Sequence, residues 1–240
     1  MSEIAALGNR RRIFLMRHGS VTYFDRAGNP YPPDAVPLNE QGRAQAQAAG
    51  RAFAQENIRF DRVIVSGLPR TLETAGCVLE ATRQQIALEE WPGLREIRGG
   101  KLSEIPDDGL RDAFTGAFEG VVPQERKFLA GESIGELMDR VHPAIDRLRS
   151  DPSWDTVLMV LHGGINRAIL SYALTGQRLF LGNLAQTAGC INALDVGPAP
   201  LDWVVRFVNY APPLPLHIDT RNTTMEAMLE QYLKSRLRAE

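Results

Sequence analysis

The chain has 240 residues, with 27 Lys and Arg against 29 Asp and Glu, a formal net charge of −2 and 44% hydrophobic residues. That length suits one large domain or two small ones, and the composition excludes wholesale disorder. The near-neutral balance also excludes a strongly basic nucleic-acid binder.

Taken in chain order, Arg12 to Met16 reads as a buried strand. Its apolar run is too short for a signal-peptide core or a membrane span, so a cytoplasmic protein without a membrane partner is expected. Thr22 to Pro37, rich in Pro, Gly, Asn and aromatics, reads as a long loop. A helical pattern covers Asn39 to Gln55, a strand Arg62 to Val65, a helix Pro69 to Thr82 and a strand Ile86 to Glu89. Arg98 to Gly131 mixes Gly, Pro and charge like an inserted subdomain or lid. Ser133 and Glu136 form an S-x-x-E box that opens a helix to Ser150. There follow a strand at Thr156 to Leu161, a helix at Ile165 to Leu174, and strands at Cys190 to Val196 and Trp203 to Asn209. The tail, Asn222 to Arg238, is amphipathic through Met225, Met228, Leu229, Tyr232, Leu233 and Leu237, and packs on its own domain or meets a second copy in a homodimer. Alternating strands and helices imply an α/β fold around a largely parallel sheet covered on both faces. One domain over 1–240 is expected, with variable loops at about 20–37 and 98–131 and a terminal helix at about 222–238. Cys77 and Cys190 are too few for a secreted disulfide scaffold and are read as buried small hydrophobes.

Four features fall at the carboxyl ends of strands, where open α/β sheets bind ligands. They are Arg17-His18-Gly19, Arg70 in Ser66-Gly67-Leu68-Pro69-Arg70, Glu96 in Leu94-Arg95-Glu96-Ile97, and His162-Gly163-Gly164. Two guanidiniums and an imidazole suit a dianion, each guanidinium offering a planar fork. Helix starts at Pro69 and Gly164 would add backbone donors and positive dipole ends. A second imidazole can act as nucleophile near neutral pH, and a carboxylic acid can protonate a leaving alkoxide. The set reads as phosphoryl transfer through a phosphohistidine, without metal or other cofactor. His142 and His217 lack spaced ligand partners, so no zinc site is expected.

The segments Leu15-Met16-Arg17-His18-Gly19, Ser66 to Ala75 and Leu161-His162-Gly163-Gly164 resemble the histidine phosphatase superfamily, in its phosphoglycerate-mutase-like branch. Pro37 to Gly42, Gly131-Glu132-Ser133 and Arg140-Val141 match its secondary landmarks in order. The resemblance implies a three-layer α/β/α sandwich with a mostly parallel central sheet. It also implies His18 as nucleophile, Arg17, Arg70, His162 and Gly163 as phosphate binders, and Glu96 as general acid, with His162 counted among the catalytic groups. Three departures stand out. Ser20 to Phe24 replaces the usual polar run after Arg-His-Gly, leaving Thr22 or Asp25 as substitutes. No Trp follows Glu96, so Glu104 is an alternative acid. Nothing beyond Gly189 matches a landmark.

The comparatively short span from Glu96 to His162 favours a lid that admits water, hence a phosphomonoester phosphatase. A mutase, or a phospho-ligand binding protein with weak turnover, is the alternative. The expected partner is a small phosphorylated substrate rather than nucleic acid. Tyr23, Asp25, Arg26, Tyr31, Arg98, Lys101 and Arg111 are the candidate selectors of that substrate.

Overall fold

The computed structural model describes residues 10–24, 31–217 and 221–239, apart from the side chains of 103 and 235–239. Side-chain alternation along the first strand, β1 (Arg11–Arg17), divides the core in two. Phe14 and Met16 join one buried cluster, and Ile13 and Leu15 the other. The first cluster lies under α1 (Glu40–Gln55) and α2 (Pro69–Thr82), through Ala49, Phe53, Ala75 and Val78. The second lies under α4 (Ile134–Ser150) and α5 (Gly163–Thr175), through Leu137, Val141, Ile165 and Ile169. Between these lie β2 (Arg62–Val65), β3 (Leu88–Glu90), β5 (Thr156–Leu161), β7 (Ile191–Val196) and β8 (Trp203–Tyr210). The result is the expected three-layer α/β/α arrangement.

The sheet order is β3-β2-β5-β1-β7-β8. Parallel pairing joins β3, β2, β5 and β1, while β7 and β8 extend the sheet antiparallel. Helix starts follow local chemistry. Asn39 Oδ1 accepts from the Gly42 amide (2.8 Å) to cap α1, Pro69 opens α2, and Ser133 and Glu136 form the anticipated capping box of α4 (2.8 and 3.2 Å).

Several elements differ from the sequence reading. The third strand is shorter, Leu88–Glu90, and α5 begins two residues early, at Gly163 rather than Ile165. Two glycines are poor helix formers by propensity, and here their place is decided by a neighbouring side chain, described below. The 98–131 insertion folds into 3₁₀ turns, a short α3 (Leu110–Thr115) and β4 (Val121–Val122), which pairs with β6 (Phe180–Leu181). Cys190 is buried as expected, whereas Cys77 is only half-buried, on a helix flank. The last helix, α6 (Thr224–Ala239), packs Met225, Met228, Leu229 and Tyr232 against the core, with Tyr232 stacked on Phe114 at 5.8 Å. Leu233 is exposed, and the side chain of Leu237 lies outside the described ones. Among the described residues no helix is long and apolar enough to cross a membrane.

Candidate active site

Strand order brings the sequence motifs together. β2, β5 and β1 are consecutive in the sheet, so the residues following their carboxyl ends are neighbours. His18 follows β1, His162 follows β5, and the Ser66 turn after β2 leads to Arg70 in the first turn of α2. The two imidazole rings lie 5.2 Å apart, edge to face. Arg17, His18, Arg70 and His162 are all buried. The loop carrying His18 crosses α1 so closely that a Cβ on Gly19 would lie 2.3 Å from the Gly42 carbonyl oxygen. That contact accounts for the glycine after the histidine.

Hydrogen bonding determines the proton positions. His18 Nδ1 lies 2.7 Å from the Gly19 carbonyl oxygen. A carbonyl only accepts, so Nδ1 carries the proton and Nε2 presents its lone pair. For His162, the Thr71 hydroxyl donates to the Leu68 carbonyl (2.8 Å), which leaves Ser66 Oγ to donate to Thr71 Oγ1 (3.1 Å). Ser66 Oγ then accepts from His162 Nε2 (2.8 Å). Its other nitrogen, Nδ1, is buried without a hydrogen-bond partner and becomes a donor once the ring is protonated.

The guanidiniums show the same pattern. Arg17 Nη1 donates to the Gln186 carbonyl (2.5 Å) and Thr224 Oγ1 (2.8 Å), and Arg70 Nη1 donates to the Pro33 carbonyl (2.7 Å). The Nε of each is buried and unpaired. Leaving a buried donor unpaired costs about 1–3 kcal/mol. An anion held among these groups would remove that cost.

Burial, followed by the charges of Arg17 and Arg70, holds the His18 pKa well below its usual range. Burial also lowers His162, followed by His18, Arg70 and Arg17. Both rings are therefore neutral at pH 7, as a nucleophilic His18 requires. For a histidine with a depressed native pKa, the unfolded chain binds the proton first, so stability falls as pH drops below about 6.5. Each ring contributes a slope of up to about 1.4 kcal/mol per pH unit in that window. Thermal melts between pH 7.5 and 5 should show this decline, and His162→Gln should flatten it. An unchanged slope in that variant would contradict the assignment.

Glu96 sits on the N-terminus of α5. Its carboxylate accepts from the Gly164 amide (3.1 and 3.2 Å) and the Ile97 amide (2.9 Å). The Gly164 amide, expected to serve phosphate, is thus occupied by Glu96, since a helix N-terminus attracts whichever carboxylate is near. A Cβ on Gly164 would lie 2.6 Å from Glu96 Oε1, which explains the second glycine. A Cβ on Gly163 would lie 3.7 Å from both Glu96 Oε2 and Arg17 Nε, so acid and guanidinium flank the same residue. Glu104, by contrast, is exposed and paired with Lys101 (3.3 Å).

Residues to which the sequence reading gives no role in the site hold this arrangement. Arg140 donates to the carbonyls of Gly93 (2.7 Å), Arg95 (2.6 Å) and Glu96 (3.3 Å), and to both oxygens of the buried Glu132 (2.7 and 2.9 Å). Burial opposes ionisation of Glu132, but hydrogen bonds from Arg140 and the Arg98 amide outweigh it and keep its pKa low. The Glu132 and Arg140 landmarks are therefore a clamp on the loop that carries Glu96. Behind Arg17, the buried Gln186 side chain is tied to Asn166 (2.9 Å) and Asn192 (2.9 and 3.0 Å), which steadies the carbonyl that Arg17 binds.

Beside Arg17 and His18 opens a cavity of about 930 Å³, whose walls include Ser20 to Phe24, Gln186 to Ala188 and the C-terminal stretch from Arg221 to Lys234. Arg70, His162 and Glu96 are not in its walls. Of the candidate selectors Tyr23 lines it, whereas Tyr31, Arg98, Lys101 and Arg111 do not. Asp25 and Arg26 lie outside the described residues. Thr22 also lines it, and its hydroxyl accepts from Asn39 Nδ2 (3.3 Å).

The family model described as "Histidine phosphatase superfamily (branch 1)" matches residues 13–209. The chain is 29% identical to rat 6-phosphofructo-2-kinase/fructose-2,6-bisphosphatase 3 over 167 residues, covering 68% of this chain and 28% of that protein. It thus spans about a third or less of the first curated relatives it matches. It is 30% identical over 160 residues to a Serratia proteamaculans protein described as "Probable phosphoglycerate mutase GpmB", covering 63% of this chain and 69% of that one. Among solved structures, mycobacterial glucosyl-3-phosphoglycerate phosphatase with VO3 superposes at a TM-score of 0.63 with 24% identity, covering 83% of this chain and 99% of that one. The α-ribazole phosphatase of Shigella flexneri gives 0.60 with 23% identity, over 82% and 96%. At these identities the structural likeness establishes the fold.

Proposed function

Because the chain belongs to the histidine phosphatase superfamily (branch 1), we propose that it is a phosphomonoesterase working through phosphorylation of His18, without metal. The observation that carries this reading is the unprotonated Nε2 of His18 amid three buried, unpaired nitrogens, Arg17 Nε, Arg70 Nε and His162 Nδ1. Such preorganised groups suit a phosphoryl group, whose transfer depends on positioning and electrostatic stabilisation. His18 Nε2 attacks phosphorus in line, and the bond to the ester oxygen breaks. Arg17 and Arg70 hold the nonbridging oxygens, and His162, neutral in the free site, takes up a proton as the phosphate dianion enters and then donates through Nδ1. Glu96 gives its proton to the departing alkoxide, then takes one from the water that attacks phosphohistidine, releasing phosphate and restoring both groups. The phosphatases among the structural neighbours support hydrolysis.

The test is release of phosphate from 4-nitrophenyl phosphate in the presence of chelator, with an acid-labile, base-stable phosphoprotein trapped on rapid quenching. Failure to form it would reject the mechanism. The likeness to GpmB supports a second reading, phosphoryl transfer between two alcohols. Rapid 2-phosphoglycerate formation from 3-phosphoglycerate and a bisphosphoglycerate primer, with negligible free phosphate, would establish that instead.

The acid role of Glu96 has its own signature. Glu96→Gln should slow hydrolysis of an alkyl phosphate about 10²–10⁴-fold, the usual scale of general acid catalysis. Read as kcat/KM, which reports departure of the leaving group and not the later attack of water, the loss with 4-nitrophenyl phosphate should stay within about 10-fold, because its leaving group departs unprotonated. Equal losses on both substrates would remove Glu96 from that role.

A further inference from the structure

The cavity beside His18 has a bias that the phosphate cradle does not require. Arg17, Arg167, Arg221 and Lys234 line it, and among the described residues no Asp or Glu does. Two of these cations already have partners. Arg167 donates to the carbonyls of Gly182 (2.9 Å) and Gly163 (3.1 Å), and Lys234 lies 3.6 Å from Glu230 on the same helix. Arg17 belongs to the cradle. Arg221 is exposed, three residues before α6 begins.

The C-terminal segment is joined directly to the cradle, because Thr224 Oγ1 accepts from Arg17 Nη1 (2.8 Å). Its helix is fixed at one end by reciprocal hydrogen bonds between Thr223 and Glu226 (2.7 and 3.2 Å) and along its length by apolar packing on the core. It therefore forms a wall held in register with Arg17, and it lies beyond the 13–209 span matched by the family. The cavity, about 930 Å³, falls in the range of pockets that enclose whole metabolites, roughly 300–1,000 Å³. Val21, Phe24, Ala227 and Met228 supply apolar wall between the charges.

We propose that this wall is the leaving-group subsite, and that Arg221 binds a second negative charge on the alcohol half of the substrate. The proposal rests on the phosphatase reading above. The substrate class is then a phosphomonoester whose alcohol carries a carboxylate or a second phosphate.

Phenyl phosphate, 4-carboxyphenyl phosphate and 1,4-phenylene bisphosphate provide the probe, assayed with wild type, Arg221→Ala and Arg221→Lys. Wild type should prefer the doubly anionic compounds in kcat/KM. Arg221→Ala should lower the charged-to-uncharged ratio about 10-fold, the scale of one charge-assisted hydrogen bond near solvent, and Arg221→Lys should recover most of it. The compound with the larger drop identifies carboxylate or phosphate as the preferred group. Unchanged ratios in Arg221→Ala, with phenyl phosphate still cleaved, would overturn the subsite alone. A wild type that cleaves none of the three would overturn the phosphatase reading and the subsite with it.

Discussion

His18→Ala should reduce kcat/KM for any phosphomonoester by about four orders of magnitude or more, the scale seen when a nucleophile is removed from an otherwise intact site. The variant keeps Arg17, Arg70 and His162, so it should still bind inorganic phosphate or vanadate. The small side chain replaces a ring held neutral by burial and, after that, by its cationic neighbours, so loss of folding is not the expected cause of inactivity. Binding by calorimetry, alongside absence of the trapped phosphoprotein, separates lost chemistry from a lost site. Residual turnover within about 10-fold of wild type would place the nucleophile elsewhere.

The second largest effect is expected at Arg70. Arg70→Met should cost about 10²–10³ in kcat, as removal of a preorganised transition-state donor does elsewhere. Arg70→Lys should recover little of this, because a point charge cannot reproduce the fork of a guanidinium. Stability should respond differently. Among the described residues the Arg70 side chain makes one hydrogen bond, to the Pro33 carbonyl, while its Nε is buried and unpaired and its charge disfavours protonation of both histidines. Replacing it with an apolar side chain of similar length should leave the melting temperature within about 3 °C of wild type. A large drop in melting temperature with unchanged kcat would make Arg70 a structural residue.

Both predictions concern residues legible in the sequence, and the reason is local. Arg17-His18, Arg70 and His162-Gly163 each stand beside a short apolar run, and a parallel strand announces itself by such a run with a helix following. Helix caps are similarly local: Ser133 and Glu136 are three residues apart, and the capping box they form depends on little else. The chain by itself therefore determined the layer architecture, most element boundaries and the short set of groups capable of phosphoryl chemistry.

Other features depended on long-range contacts that no local pattern carries. That β5 lies between β2 and β1 brings His162 within 5.2 Å of His18, although the two are far apart in the chain. The early start of α5 goes with Glu96 accepting from the Gly164 amide in its first turn, a contact between residues 68 positions apart. The clamp of Arg140 on Glu132 and the Glu96 loop, and the bond from Arg17 to Thr224, likewise join distant segments. The sequence places candidate substrate-selecting groups in the polar loops after the first and third strands. Beside the nucleophile the folded chain places Thr22 and Tyr23 of the first of these loops together with the C-terminal segment, because the apolar stripe of α6 finds its burial against α3 and the core there. Side-chain chemistry is written in the residues themselves, but which distant residues share a wall is decided by how apolar faces are buried together.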